Sequence, residues 1–99
     1  MTHLVELLLP TTKPAARAIL QELQEELTRK FGGVTAFVRA PAEGRWRAPD
    51  AGVAKDAIVI LEVMVDAIDR SYWKQMRLSL EARLDEHEIV VRTHGIERL

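Results

Sequence analysis

Two glutamates and two arginines form the arrangement in this chain that most invites chemistry. Glu6 interrupts the apolar run Leu4 to Leu9, and Glu62 interrupts the apolar run Ile58 to Val65. A carboxylate inside such a run must face a cavity, water or a cation, because burying it alone is costly. Two carboxylates in one partly apolar cavity raise each other's pKa, which is how general acids and bases are made. Arg39 and Arg92 lie on two further strand-like segments and would clamp an anionic ligand beside them. His94 follows Arg92 by two residues and so shares its face of a strand. With Trp46 these residues, Glu6, Arg39, Glu62, Arg92 and His94, define a candidate small-molecule pocket. The competing arrangement pairs each glutamate with an arginine, across strands or across a subunit interface, and so fixes register. Structural ion-pair networks are common, and the residue types favour this second arrangement.

The other chemistry-bearing residues do not converge. His3 and His94 fall on opposite faces of adjacent strands by parity, and His87 lies at the far end of the last strand, so no metal site is expected. Arg45-Trp46-Arg47 follows a proline and a glycine. It reads as a lid or stacking platform, or as an aromatic anchor holding a loop on the body or a partner. Arg70, Lys74 and Arg77 form a basic stripe on a helix, read as a solvated face, with Arg77 able to pair with Glu81. Gly32-Gly33 lacks a phosphate-loop context and reads as a helix cap. No serine or threonine sits on a recognisable nucleophile elbow. No catalytic residue, metal or cofactor is therefore assigned.

The elements that must position these residues follow from periodicity. Residues 3–9 read as a central strand, with His3, Val5, Leu7 and Leu9 on one face and Leu4, Glu6 and Leu8 on the other. Thr11-Thr12-Lys13-Pro14 is a helix-start signal. Ala16, Ile19, Leu20, Leu23, Leu27 and Phe31 make one apolar stripe, with Glu25–Arg29 and Glu26–Lys30 as i,i+4 pairs on the wet side. Gly32-Gly33 ends this helix. Residues 33–39 return to period two, residues 40–55 form a long loop, and residues 56–65 form the clearest strand. Asp69 or a neighbour can cap a second helix running to about Glu86, whose stripe is Trp73, Met76, Leu80 and Leu84. Residues 88–94 are the last strand, followed by a short tail.

The order is βαβ followed by βαβ. It predicts one α+β domain over residues 1–99, a ferredoxin-like βαββαβ sandwich in which a four-stranded antiparallel sheet carries both helices on one face. The opposite face then presents Leu4, Leu8, Phe37, Ile58, Ile60, Met64 and Val90 around the glutamates and arginines. A patch of that extent exceeds what a soluble monomer usually exposes. It predicts a homodimer packed through the sheet face, or a loop folded over it. In element order the whole chain resembles the dimeric α+β barrel superfamily of small bacterial proteins. Gly32-Gly33-Val34-Thr35, Gly44-Arg45-Trp46 and Glu62 are similar to a pattern in small bacterial proteins of unknown function. That resemblance implies a fold and no activity.

Composition narrows the classes further. Ninety-nine residues suffice for one core. Fourteen basic and fifteen acidic residues give a net charge of −1, without the basic excess of a dedicated nucleic-acid binder. The aromatic-rich segment of RNA-binding sheets is missing as well. The chain has no cysteine, which excludes disulfides, thiolate metal sites and a thiolate-held iron–sulfur cluster. The first ten residues lack a basic leader and are too short to span a membrane, so a cytoplasmic protein is expected.

Overall fold

A computed structural model describes residues 2–39, 47–48, 52–53 and 58–99. The strands are β1 (Thr2–Pro10), β2 (Thr35–Arg39), β3 (Arg47–Ala48), β4 (Gly52–Val53), β5 (Ile58–Val65) and β6 (Val90–Ile96). The helices are α1 (Ala16–Phe31) and α2 (Arg70–Arg83). Four strands form one antiparallel sheet in the order β2-β5-β1-β6, and β3 pairs with β4 separately. The architecture is α+β.

Strand alternation builds the core. Val5, Leu7 and Leu9 of β1 and Val59, Leu61, Val63 and Val65 of β5 are buried on one face of the sheet. They join Ala16, Ile19, Leu23 and Leu27 of α1 and Trp73, Met76 and Leu80 of α2 in a single cluster, with Leu84 and Ile89. Both helix stripes and the sheet parity are those expected from the sequence. Burying a side chain of this size stabilises by about 1.5–3 kcal/mol, so this layer is the main source of stability. Phe31 stacks on Trp73 with ring centroids 5.4 Å apart, and the edge of Tyr72 meets Trp73 at 4.9 Å.

The ends of the elements depart from expectation for local reasons. Helix α1 is entered through Ala15, which has αR dihedrals and no side-chain cap bond, rather than through a threonine cap. A turn in which Ala16 N–H donates to the Lys13 carbonyl leads into it instead. At its C-terminus Gly32 takes φ 87°, and its N–H donates to the Thr28 carbonyl, the left-handed ending that glycine adopts without a Cβ clash. Asp69 does cap α2, its carboxylate accepting the Tyr72 N–H at 3.1 Å. That helix stops at Arg83, three residues before Glu86, because Asp85 turns left-handed at φ 51°. The last strand runs on to Ile96, since pairing with β1 continues to Thr2↔Ile96 and draws part of the expected tail into the sheet. The first two residues of the expected 56–65 strand, and much of the 40–55 loop including Trp46, lie outside the described residues.

Of the two pairs expected on α1, Glu26–Lys30 gives way to a tertiary contact. Lys30 sits over the Tyr72 ring, Nζ 3.6 Å from its centroid, instead of pairing with Glu26. A cation over an aromatic face is a favourable electrostatic contact. Glu22 pairs with Arg83 and so links the two helices. Among the described residues no helix is long and apolar enough to cross a membrane.

Candidate functional site on the open sheet face

The face of the sheet opposite the helices is organised in rows that run across the strands. Thr35 lies opposite Glu62, Glu62 opposite Glu6, and Glu6 opposite Arg92. One polar row therefore crosses all four strands, β2 to β6. Neighbouring strands are about 4.8 Å apart, so the Glu6 and Glu62 side chains are immediate neighbours. Like charges directly opposite each other are destabilising in a sheet. The structure offsets the repulsion on one side only. The Nε of Arg92 donates to Glu6 Oε1 at 3.3 Å, and His94 Nδ1 lies 3.6 Å from the same oxygen. The Glu6 side chain is 12% exposed, whereas Arg92 and His94 are more than half exposed. Glu62 is half-buried and has no hydrogen-bond or ion-pair partner among the described residues.

Apolar rows flank the polar one. On one side Phe37, Ile60, Leu8 and Val90 lie in register across the four strands. On the other, Met64 is opposite Leu4 and Leu4 opposite His94. Phe37, Met64 and Val90 are 46%, 52% and 40% exposed. Leu4, Leu8, Ile58 and Ile60 are half-buried. Beyond the polar row, a cleft of about 780 Å³ at the end of the sheet is lined by Glu62, Thr35, Met64 and Asp66 together with Lys30 and Arg98.

The sequence placed Glu6, Glu62, Arg92 and His94 on one face, and the register brings all four together. Arg39 is on the edge strand β2 as expected, but opposite Ile58, four positions along from Thr35. That separates its backbone from the polar row by about 13 Å. His3 pairs with Gly95 on the helix side of β1, away from His94. Among the described residues no three His, Asp or Glu side chains gather as a metal site.

One polar anchor was only half legible. Glu81 accepts two bonds from Arg77, at 3.1 and 3.0 Å, as its i,i+4 spacing suggests. It also accepts the backbone N–H of Ile89 at 2.9 Å, which ties α2 to the entry of β6. The Ile89 N–H holds the Glu81 carboxyl below its ordinary range, reinforced by Arg77 and partly opposed by desolvation. Nothing in the sequence marks Ile89 as the second partner, because it lies eight residues away through a turn.

Comparison with protein-family models, curated proteins and solved structures gives no match. The functional reading therefore rests on the geometry of this face.

Proposed function

We propose that this chain is a small cytoplasmic homodimeric interaction protein of ferredoxin-like βαββαβ architecture. Its partner surface is the open sheet face, and it works without a catalytic site. The strand order supports the architecture: α1 joins β1 to β2 with β5 inserted between them, and α2 joins β5 to β6 with β1 inserted. That split βαβ arrangement, repeated, is shared with the dimeric α+β barrel proteins. The observation that carries the dimer is the exposure of Phe37, Met64 and Val90, continuous with four half-buried aliphatic side chains on the face of the sheet opposite the helices. Apolar surface of this extent is typical of an interface core. A second copy supplies a matching face, and the row Thr35–Glu62–Glu6–Arg92 sets the register, since misalignment buries unpaired charge. Light scattering on the purified chain should give twice the monomer mass of 11.2 kDa. A monomer persisting at about 100 µM, where an interface of standard size is saturated, overturns the reading.

Glu62 favours one further reading, a small-molecule site on the same face. It is the carboxylate of the row without a cation, and it borders the cleft. A ligand carrying an amine or another hydrogen-bond donor would satisfy it, with Glu6, Arg92 and His94 alongside. A thermal-shift screen tests this: a ligand whose stabilisation vanishes in Glu62→Gln supports the site, and one that survives the substitution binds elsewhere.

A further inference from the structure

A groove on the opposite flank of the molecule, between α2 and the edge strand β6, is separate from the sheet face. Val5, Ile68, Trp73 and Val91 supply its apolar lining, and Arg70, Lys74 and Arg77 stand along its helix wall. Among the described residues no carboxylate lines it. Arg77 is held by Glu81, but Arg70 and Lys74 have no ion-pair partner among the described residues. The guanidinium of Arg92, whose residue also borders the groove, turns to Glu6 on the other face. Two cations, Arg70 and Lys74, thus stand beside the groove without an ion pair among the described residues, although the chain as a whole carries −1.

Strand β6 forms the other wall and is the last strand of the sheet. Half of the backbone N–H and C=O groups of an edge strand point outward without a ladder partner, a template for one more strand. The groove volume, about 200 Å³, is small beside the roughly 300–1,000 Å³ of drug-sized ligand sites. It has room for a few side chains. An edge strand, a shallow apolar trough and a row of cations together match an extended peptide that adds to the sheet and presents acids to the helix.

We propose that the α2–β6 groove docks an extended acidic peptide segment of a partner protein, paired antiparallel or parallel to β6, with its helix-side carboxylates on Arg70 and Lys74. The helical rise separates Arg70 and Lys74 by about 6 Å along the axis, close to the roughly 6.7 Å between alternate strand residues. The recognised pattern is therefore acid–x–acid. This binding does not depend on the sheet-face dimer.

The test is fluorescence anisotropy with the full chain and a labelled eight-residue peptide of alternating glutamate and valine. Saturable binding is expected, weakening with added salt as screening predicts. The double variant Arg70→Glu/Lys74→Glu should bind about tenfold more weakly or worse, since two attractive contacts become repulsive. Its circular dichroism should match the parent, because both residues are exposed. N-methylating the peptide at alternate residues should abolish binding in one of the two phases, because only one set of its N–H groups faces β6. Binding unaffected by either methylation overturns the strand-addition geometry. Equal competition by inorganic phosphate, or equal affinity for a single-stranded oligonucleotide, overturns the peptide specificity. No binding at about millimolar protein, the weak limit of peptide recognition, overturns the proposal outright.

Discussion

Met64 offers the sharpest test of the sheet-face interface. It is 52% exposed in the row with Leu4 and His94, on the sheet face opposite the helices and at the edge of the end cleft. Fully burying a methionine contributes about 1.5–3 kcal/mol, so the half still exposed leaves about 1 kcal/mol to be gained on association. In a two-fold dimer the same surface is used on both copies, which doubles this to about 2 kcal/mol. At 1.4 kcal/mol per factor of ten, Met64→Ala should weaken the dimer about 30-fold. Met64→Asp should do more. It places a carboxylate two residues from Glu62 on the same face of β5, and dimerisation would have to desolvate both. Sedimentation equilibrium over a concentration series measures the dissociation constant directly. Monomer stability should hardly change, because an exposed substitution of this kind stays within about 0.5 kcal/mol. If Met64→Asp dimerises within about threefold of the parent, a shift smaller than one lost contact would give, the sheet face is not the interface.

The remaining predictions concern the elements that hold the site in place. Glu81 is stabilised in its charged form in the fold, so its contribution is fully present above the ordinary value of 4.5 and is lost as pH falls through the depressed folded value. The melting temperature of the parent should therefore drop more steeply below pH 4.5 than that of Glu81→Gln, and parallel acid profiles would remove Ile89 and Arg77 as the cause. Leu80 is 1% exposed between α2 and the sheet. Leu80→Ala should cost about 2–5 kcal/mol in urea denaturation, and a smaller loss would mean that the core collapses around the cavity. Gly32→Ala meets no atom within 4 Å, yet Gly32 sits at φ 87°. It should destabilise by about 1–2 kcal/mol from backbone strain alone, and a neutral result would show the helix end relaxing to another turn.

Much of this architecture is legible in single residues. The parity of Val5, Leu7 and Leu9 against Leu4, Glu6 and Leu8 separates the buried face of β1 from its open face, because adjacent side chains on a strand must point opposite ways. The i,i+4 stripe of Ile19, Leu23 and Leu27 does the same for α1. Asp69 and Gly32 announce their caps because each suits a backbone geometry that few other residues do. The boundaries were harder. The left-handed turn at Asp85 and the extension of β6 to Ile96 depend on what the neighbouring segment can pair with, which no local pattern records. Lys30 has an adequate local partner in Glu26, but the Tyr72 ring, brought in by packing of the helices, is nearer.

Which residues share a face is already settled by local pattern, since that depends only on the two-residue and 3.6-residue periods of strand and helix. That pattern therefore places Glu6 and Glu62 together on a sheet face rich in apolar side chains. Tertiary structure alone decided how the strands slide past one another. Register is set by the summed fit of the core and the backbone ladders, and it is register that lines up Thr35, Glu62, Glu6 and Arg92 in one row while leaving Arg39 four positions along β2, away from that row. The same long-range packing set α2 beside β6 and left Arg70 and Lys74 without an ion pair among the described residues along a sheet edge. A charged helix stripe carries no local mark of which strand it will face, because that depends on the path of the whole chain.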